Sequence, residues 1–277
     1  MSTAADEATP APRNDFSLAR KIARLSGGLA VSLAGAAIVI TAWQFAAEFG
    51  WVRPVVLPAP SRIAETIWSL SITGELPAHI CISILRVLEG FAVAAVVGLS
   101  LGIAMGLLPA LNRSLDFIIQ VVKPIPPIAW IPLAILWFGL GEGSKVYIIF
   151  MGGVFPILIN TIDGIRQTDI RYVEVARVLE VPRSRFIRQV VLPGALPSIM
   201  TGLRVGLSTS WICVVAAELI AARSGIGYLI MDARLLSQTD VVLAGMVTLG
   251  IAGKLADDGL RILEHRLVRW RKIYAGG

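Results

Sequence analysis

The chain has 277 residues, 56% of them hydrophobic and only 16% charged, with a formal net charge of +6. So apolar a composition excludes an ordinary water-soluble domain. Cys81 and Cys213 are too few and too far apart in sequence to argue for a metal centre or a redox pair, and the two histidines, His79 and His265, do not complete a ligand set.

A membrane-spanning helix needs roughly 20 apolar residues, and the chain holds about six such stretches, taking a broken third one as a single span. They lie at 27–48, 80–108, 116–138, 145–163, 195–221 and 240–262, bounded by charge and turn residues. Residues 1–26 are polar and carry Arg13, Arg20, Lys21 and Arg24 close to the first span. That span lacks a small-residue cleavage site, so it reads as a retained anchor behind a flexible segment.

The second span carries Gly90, Ala94, Gly98, Gly102 and Gly106, a small residue at every fourth position, which makes one smooth helix face. The fifth repeats the device with Gly194, Ser198, Gly202, Gly206 and Ser210. Both stripes read as tight helix packing in preference to a solute lining. The third span holds Pro124, Pro126, Pro127 and Pro132, which remove backbone donors and bend or break a helix. Such backbone must be shielded in lipid, so it either lines a pathway or kinks a buried helix. The run GLGEGSK at 139–145 lacks the four-residue gap of a phosphate-binding loop and reads as a turn.

Charges within the spans are expensive unless paired or facing water. Arg204 and Glu218 on the fifth span stand fourteen residues apart, about 21 Å of helix, too far to pair with each other. Lys254 and Asp258 on the sixth lie one turn apart and can pair. Arg204 suits either a structural role or attraction of an anion. Residues placed on a possible translocation path are Pro127 and Trp130 at the broken span, with Arg204, Trp211 and Glu218 on the fifth.

Basic residues collect between spans four and five (Arg166, Arg171, Arg177, Arg183, Arg185, Arg188) and in the C-terminal region (Arg261, Arg266, Arg269, Arg271, Lys272). Positively charged loops stay in the cytosol, which puts both termini and the 164–193 segment there. The positive charge is thus a topology signal, not a nucleic-acid footprint. Pro182 divides the 164–193 segment into two short helical pieces, tied to the fifth span and exposed to a soluble partner.

The run from Glu174 to Pro193 resembles the EAA loop of binding-protein-dependent transport permeases, whose pattern is Glu-Ala-Ala, three residues, Gly, nine residues, Ile, one residue, Leu-Pro. Glu174, Ala176, Leu192 and Pro193 match at the correct spacing, Val190 replaces Ile, and Val175 replaces the first Ala. Glu180 departs from the pattern, standing where its Gly allows a tight bend. The resemblance covers about residues 55 to 270. The stretches KPIPPIAWIPLAILWFGLGEGSK and LPGALPSIMTGLRVGLSTSWICVVAAELIAARSGIGYLIMDA look like the sulfonate, taurine, nitrate and bicarbonate branch, closest to taurine and alkanesulfonate permeases.

The resemblance implies an all-α polytopic bundle of the type I ABC importer permease fold, in a bacterial inner membrane. Residues 27–270 would form the permease domain and 271–277 a tail. The coupling residues would be Glu174, Val175, Ala176, Glu180, Pro182, Leu192, Pro193 and Gly194. It further implies a second permease copy, two ABC ATPase subunits that bind ATP and Mg, and a periplasmic or lipid-anchored binding protein. No catalytic, cofactor or metal site is expected in this chain. An ion-coupled secondary transporter would show inverted repeats, and a membrane enzyme a catalytic cluster; neither is visible.

Overall fold

The computed structural model describes residues 34–268, so the 1–26 segment and the 271–277 tail lie outside the described residues. All regular structure among the described residues is helical. The chain divides after Arg62 into two compact units. In the first, helix α1 (34–48) carries Gln44, whose side chain donates to Glu48 at 2.6 Å and to Ser61 at 3.0 Å.

The second unit is organised around α6 (Glu142–Arg166), flanked by α3 (Glu75–Leu107) and α9 (Leu192–Ala221). Both small-residue stripes face α6. A Cβ added to Gly90 would meet Ile149 at 2.5 Å, one on Gly98 would meet Ile157 at 2.9 Å, and one on Gly102 would meet Thr161 at 2.7 Å. Each α3 glycine therefore sits beside an α6 residue 59 positions later, and a constant offset means that α3 and α6 run parallel. On α9, Gly202 lies against Asn160 and Gly206 against the Gly153 carbonyl, the descending order of an antiparallel neighbour. Gly194 is the exception, since nothing lies within 4 Å of a Cβ placed there.

Close approach also repairs a defect in α6. Pro156 has no N–H for the carbonyl of Gly152, and the Thr209 hydroxyl of α9 lies 2.8 Å from that oxygen, in position to donate. Gly152 leaves room for this contact, because a Cβ there would strike the Cys213 Sγ. Cys213 is buried at this contact, whereas Cys81 on α3 is exposed.

Parallel α3 and α6 require the chain between them to cross back. It does so as α4 (Pro109–Val122), a 3-10 turn (Pro127–Trp130) and α5 (Ile131–Phe138), with an 89° bend at the break. The break falls on Pro124, Pro126 and Pro127, as the proline content leads one to expect. Leu111, Leu115 and Ile119 of α4, one helical face, pack on Met105, Leu158 and Ile162. Counting the bent pair once, up to five of the described elements are long and apolar enough to span a membrane.

Two short helices were not expected: α2 (Pro60–Ile72), and α10 (Ile226–Leu235) between α9 and α11 (Thr239–Leu267). The turn expected at 139–145 is shorter than that. Gly139 adopts φ +72° and ends α5, but Glu142 to Lys145 already form the first turn of α6.

Candidate functional site

Between α6 and α9 the chain forms α7 (Ile170–Val178), started by Asp169, whose carboxylate accepts from the Arg171 N–H at 2.9 Å. The Arg171 guanidinium also holds that carboxyl below the usual carboxylate range. Helix α7 ends in a Schellman pattern: the Glu180 N–H donates to the Arg177 carbonyl at 3.2 Å and the Val181 N–H to that of Ala176 at 2.9 Å. The pattern needs a left-handed residue at its turn, and Glu180 supplies it with φ +49°. The bend therefore has the conformation that the family's glycine favours, with a glutamate held in it.

Pro182 then caps α8 (Arg183–Phe186), its carbonyl accepting from the Arg185 and Phe186 N–H groups, both at 3.0 Å. A π turn (Ile187–Val191) follows, in which the Leu192 N–H reaches back to Ile187. Pro193 explains this widening, because its ring would clash with the carbonyl four residues earlier and it has no N–H to give. The consequence is a single helical rod from Arg183 to Ile220, 38 residues long. At 1.5 Å per residue it measures roughly 57 Å. The two pieces expected from Pro182 are therefore unequal: α7 is free-standing, and the second is the beginning of α9.

Helix α7 presents a face unlike that of a solvated loop. Val178 is 82% exposed and Leu179 68%, and Ile170, Tyr172 and Val175 are exposed beside them, with Glu174 also on the surface. Val173 and Ala176 turn the other way, lining with Leu107, Phe186 and Val191 a cavity of about 570 Å³ under the helix.

Of the path candidates, the core brings Trp130 and Trp211 into one cluster, while Arg204 and Glu218 are held apart from it by charged partners of their own. Pro127 and Trp130 are partly buried at the 3-10 turn, with Trp130 packed against the main core cluster to which Ile131, Ala134 and Trp211 belong. Trp211 is itself buried, and among the described residues neither indole N–H has a hydrogen-bond partner. Arg204 is held by Asp257 of α11 through two bonds of 3.0 Å, with Glu264 at 3.5 Å, so its charge is neutralised within the chain. Glu218 is 1% exposed and joined to Arg86 at 2.8 Å. The expectation that Arg204 and Glu218 do not pair with each other holds, as does the pairing of Lys254 with Asp258 at 2.5 Å. Arg86 was not among the sequence candidates, although it is a charge inside a span like the other two.

What α9 does turn outward is Thr201, Val205, Ser208 and Ile212, spaced as one helix face. The Thr201 and Ser208 hydroxyls donate to carbonyls of their own helix, Pro197 and Arg204 at 3.0 Å, leaving oxygen lone pairs directed outward. A separate cavity of about 550 Å³ between α3, α9 and α11 is lined almost wholly by apolar side chains such as Phe91, Leu207 and Leu255, with Trp211 and Thr248 its polar-tipped members.

Residues 94–269 match the family described as binding-protein-dependent transport system inner membrane component. The putative aliphatic sulfonates transport permease protein of Bacillus subtilis is 44% identical over 240 residues, covering 87% of each chain. The taurine transport system permease protein of Escherichia coli is 36% identical over 251 residues, covering 89% of this chain and 91% of that one. Among solved structures, the MetNI methionine ABC transporter has a chain that superposes with a TM-score of 0.57 at 19% identity, over 68% of this chain and 91% of its own. That likeness bears on the fold.

Proposed function

Since this chain belongs to the family of binding-protein-dependent transport system inner membrane components, the permease subunits of ABC importers, we propose that it forms half of a path for a small sulfonate anion and that α7 is its coupling helix. It is a multi-pass membrane transport subunit and not an enzyme; ATP is handled by a partner ATPase. The observation that carries the coupling assignment is the exposed apolar face of α7, on a nine-residue helix outside any span. Exposed apolar patches mark contact surfaces, and this one is rimmed by Arg171, Arg177 and Glu174. With the basic 164–193 segment in the cytosol, the patch meets the ATPase. A second copy closes the path along the Thr201–Ile212 face of α9, and a binding protein delivers solute to the opposite end. The two relatives named above carry sulfonate and taurine in their names, which supports that solute class here.

The test is co-expression of the permease with its ATPase. Glu174→Lys, on the exposed side of α7, should lower co-purified ATPase at least tenfold while the permease still inserts, and equal recovery would overturn the coupling reading. Calorimetry on the cognate binding protein with taurine and alkanesulfonates decides the solute. A neutral or cationic ligand would end the anion reading, and nitrate or bicarbonate in preference to sulfonates would end the sulfonate one.

A further inference from the structure

The end of α9 farthest from α7 is fastened by an unusually complete polar lattice. Arg86 is 3% exposed, and its guanidinium reaches five acceptors. Nε donates to Glu142 at 2.6 Å and Nη2 to Glu142 at 2.8 Å and to the Ser224 hydroxyl at 3.1 Å. Nη1 donates to Glu218 at 2.8 Å and to the Ser224 carbonyl at 2.6 Å. All five guanidinium N–H groups are therefore used. Lys145 adds a second cation, 2.8 Å from Glu142, so two positive and two negative groups balance.

The lattice grips the start of α10. That helix has no capping side chain of its own, and its first N–H groups are taken by other elements. The Gly225 N–H donates to His79 Nδ1 at 2.9 Å, the Ile226 N–H to the Ser83 hydroxyl at 2.9 Å, and the Gly227 N–H to the Glu218 carboxylate at 2.8 Å. The Ser83 hydroxyl in turn donates a hydrogen bond to the Glu218 carboxylate at 2.8 Å, bridging the two. Glycine is required at the approach: a Cβ on Gly225, whose φ is +108°, would overlap the Glu218 carboxylate, and one on Gly227 would lie 2.7 Å from the Glu218 Cβ.

We infer that Ser83, Arg86 and Glu218 are positioning residues that bind α10 and the adjoining ends of α3 and α6 to the far end of the Arg183–Ile220 rod, so that movement of the coupling segment reaches α10 without slack. Glu218 thus belongs to a joint that transmits motion inside one protomer and not to the solute path. Moving α10 alone would break the Ile226 and Gly227 N–H bonds to Ser83 and Glu218 and the Ser224 bonds to Arg86, leaving buried polar groups short of partners, which ties its motion to that of the rod. The inference rests on the coupling reading of α7 given above.

The test uses the permease–ATPase complex in nanodiscs, without solute, and compares wild type with Glu218→Gln and Ser83→Ala. Co-purified ATPase should remain equal in all three, which reports on the coupling reading separately; loss of ATPase from the wild type would sink that reading and this one with it. Hydrogen exchange of the 222–235 peptide should quicken at least tenfold in both variants. Solute-free ATP hydrolysis should rise at least threefold as the rod swings unloaded, whereas general damage to the fold lowers it. Exchange within twofold of wild type, or hydrolysis unchanged or lower, overturns the inference. Should Glu218→Gln fail to insert, Ser83→Ala, which deletes one bridging hydroxyl, decides alone.

Discussion

Replacing Glu180 with glycine should tighten the bend on which the coupling segment turns. At φ +49° a residue with a Cβ is held in the left-handed region, at a cost of roughly 1–2 kcal/mol. Glycine escapes that cost but loses more freedom on ordering, about 0.5–1 kcal/mol. The net gain is therefore about 0.5–1 kcal/mol, a factor of about two to five in a local opening equilibrium. The two amides that close the bend, those of Glu180 and Val181, report it directly through their bonds to Arg177 and Ala176. Their hydrogen exchange should slow by that factor in Glu180→Gly, and Glu180→Val should quicken it, because a β-branched side chain tolerates positive φ worst. Exchange that quickens in Glu180→Gly would refute the reasoning, since it would mean that the glutamate side chain stabilises the turn through a contact outweighing its backbone strain.

Three further outcomes follow from the packing and the surface. Gly98→Val should lower the thermal stability of the purified protein by about 1–3 kcal/mol or block folding, because even a Cβ meets Ile157 at 2.9 Å; Gly194→Ala, with open space around it, should not lower it. In a double-mutant cycle, Arg204→Gln and Asp257→Asn should couple by about 0.2–1 kcal/mol, the range for a pair about one-third exposed; additive effects would show that the bridge is not formed. Val178→Asp, which puts a charge on the most exposed apolar position of α7, should lower ATPase co-purification at least tenfold with normal insertion, and unchanged recovery would remove the patch from the contact.

Residue pattern alone determined the membrane class, the rough position of the spans from residue 80 onward, the break at the proline cluster and the short basic helical segment before α9, because each depends on local properties: apolar run length, missing N–H groups and charge placement. It also determined that the small-residue stripes serve packing, since their fourfold spacing makes a helix face whatever lies opposite. Tertiary structure decided which helix lies opposite, and made α6 the centre through glycines that offer no obvious stripe. It decided that Glu180 takes the glycine conformation, which no spacing can reveal. Above all it decided the fate of the charges. Arg204 and Glu218 looked available for a solute because their partners, Asp257 and Arg86, lie 53 and 132 residues away in the chain. Pairing between buried charges is set by which helices come into contact, and that is a property of the assembled bundle and not of any one segment.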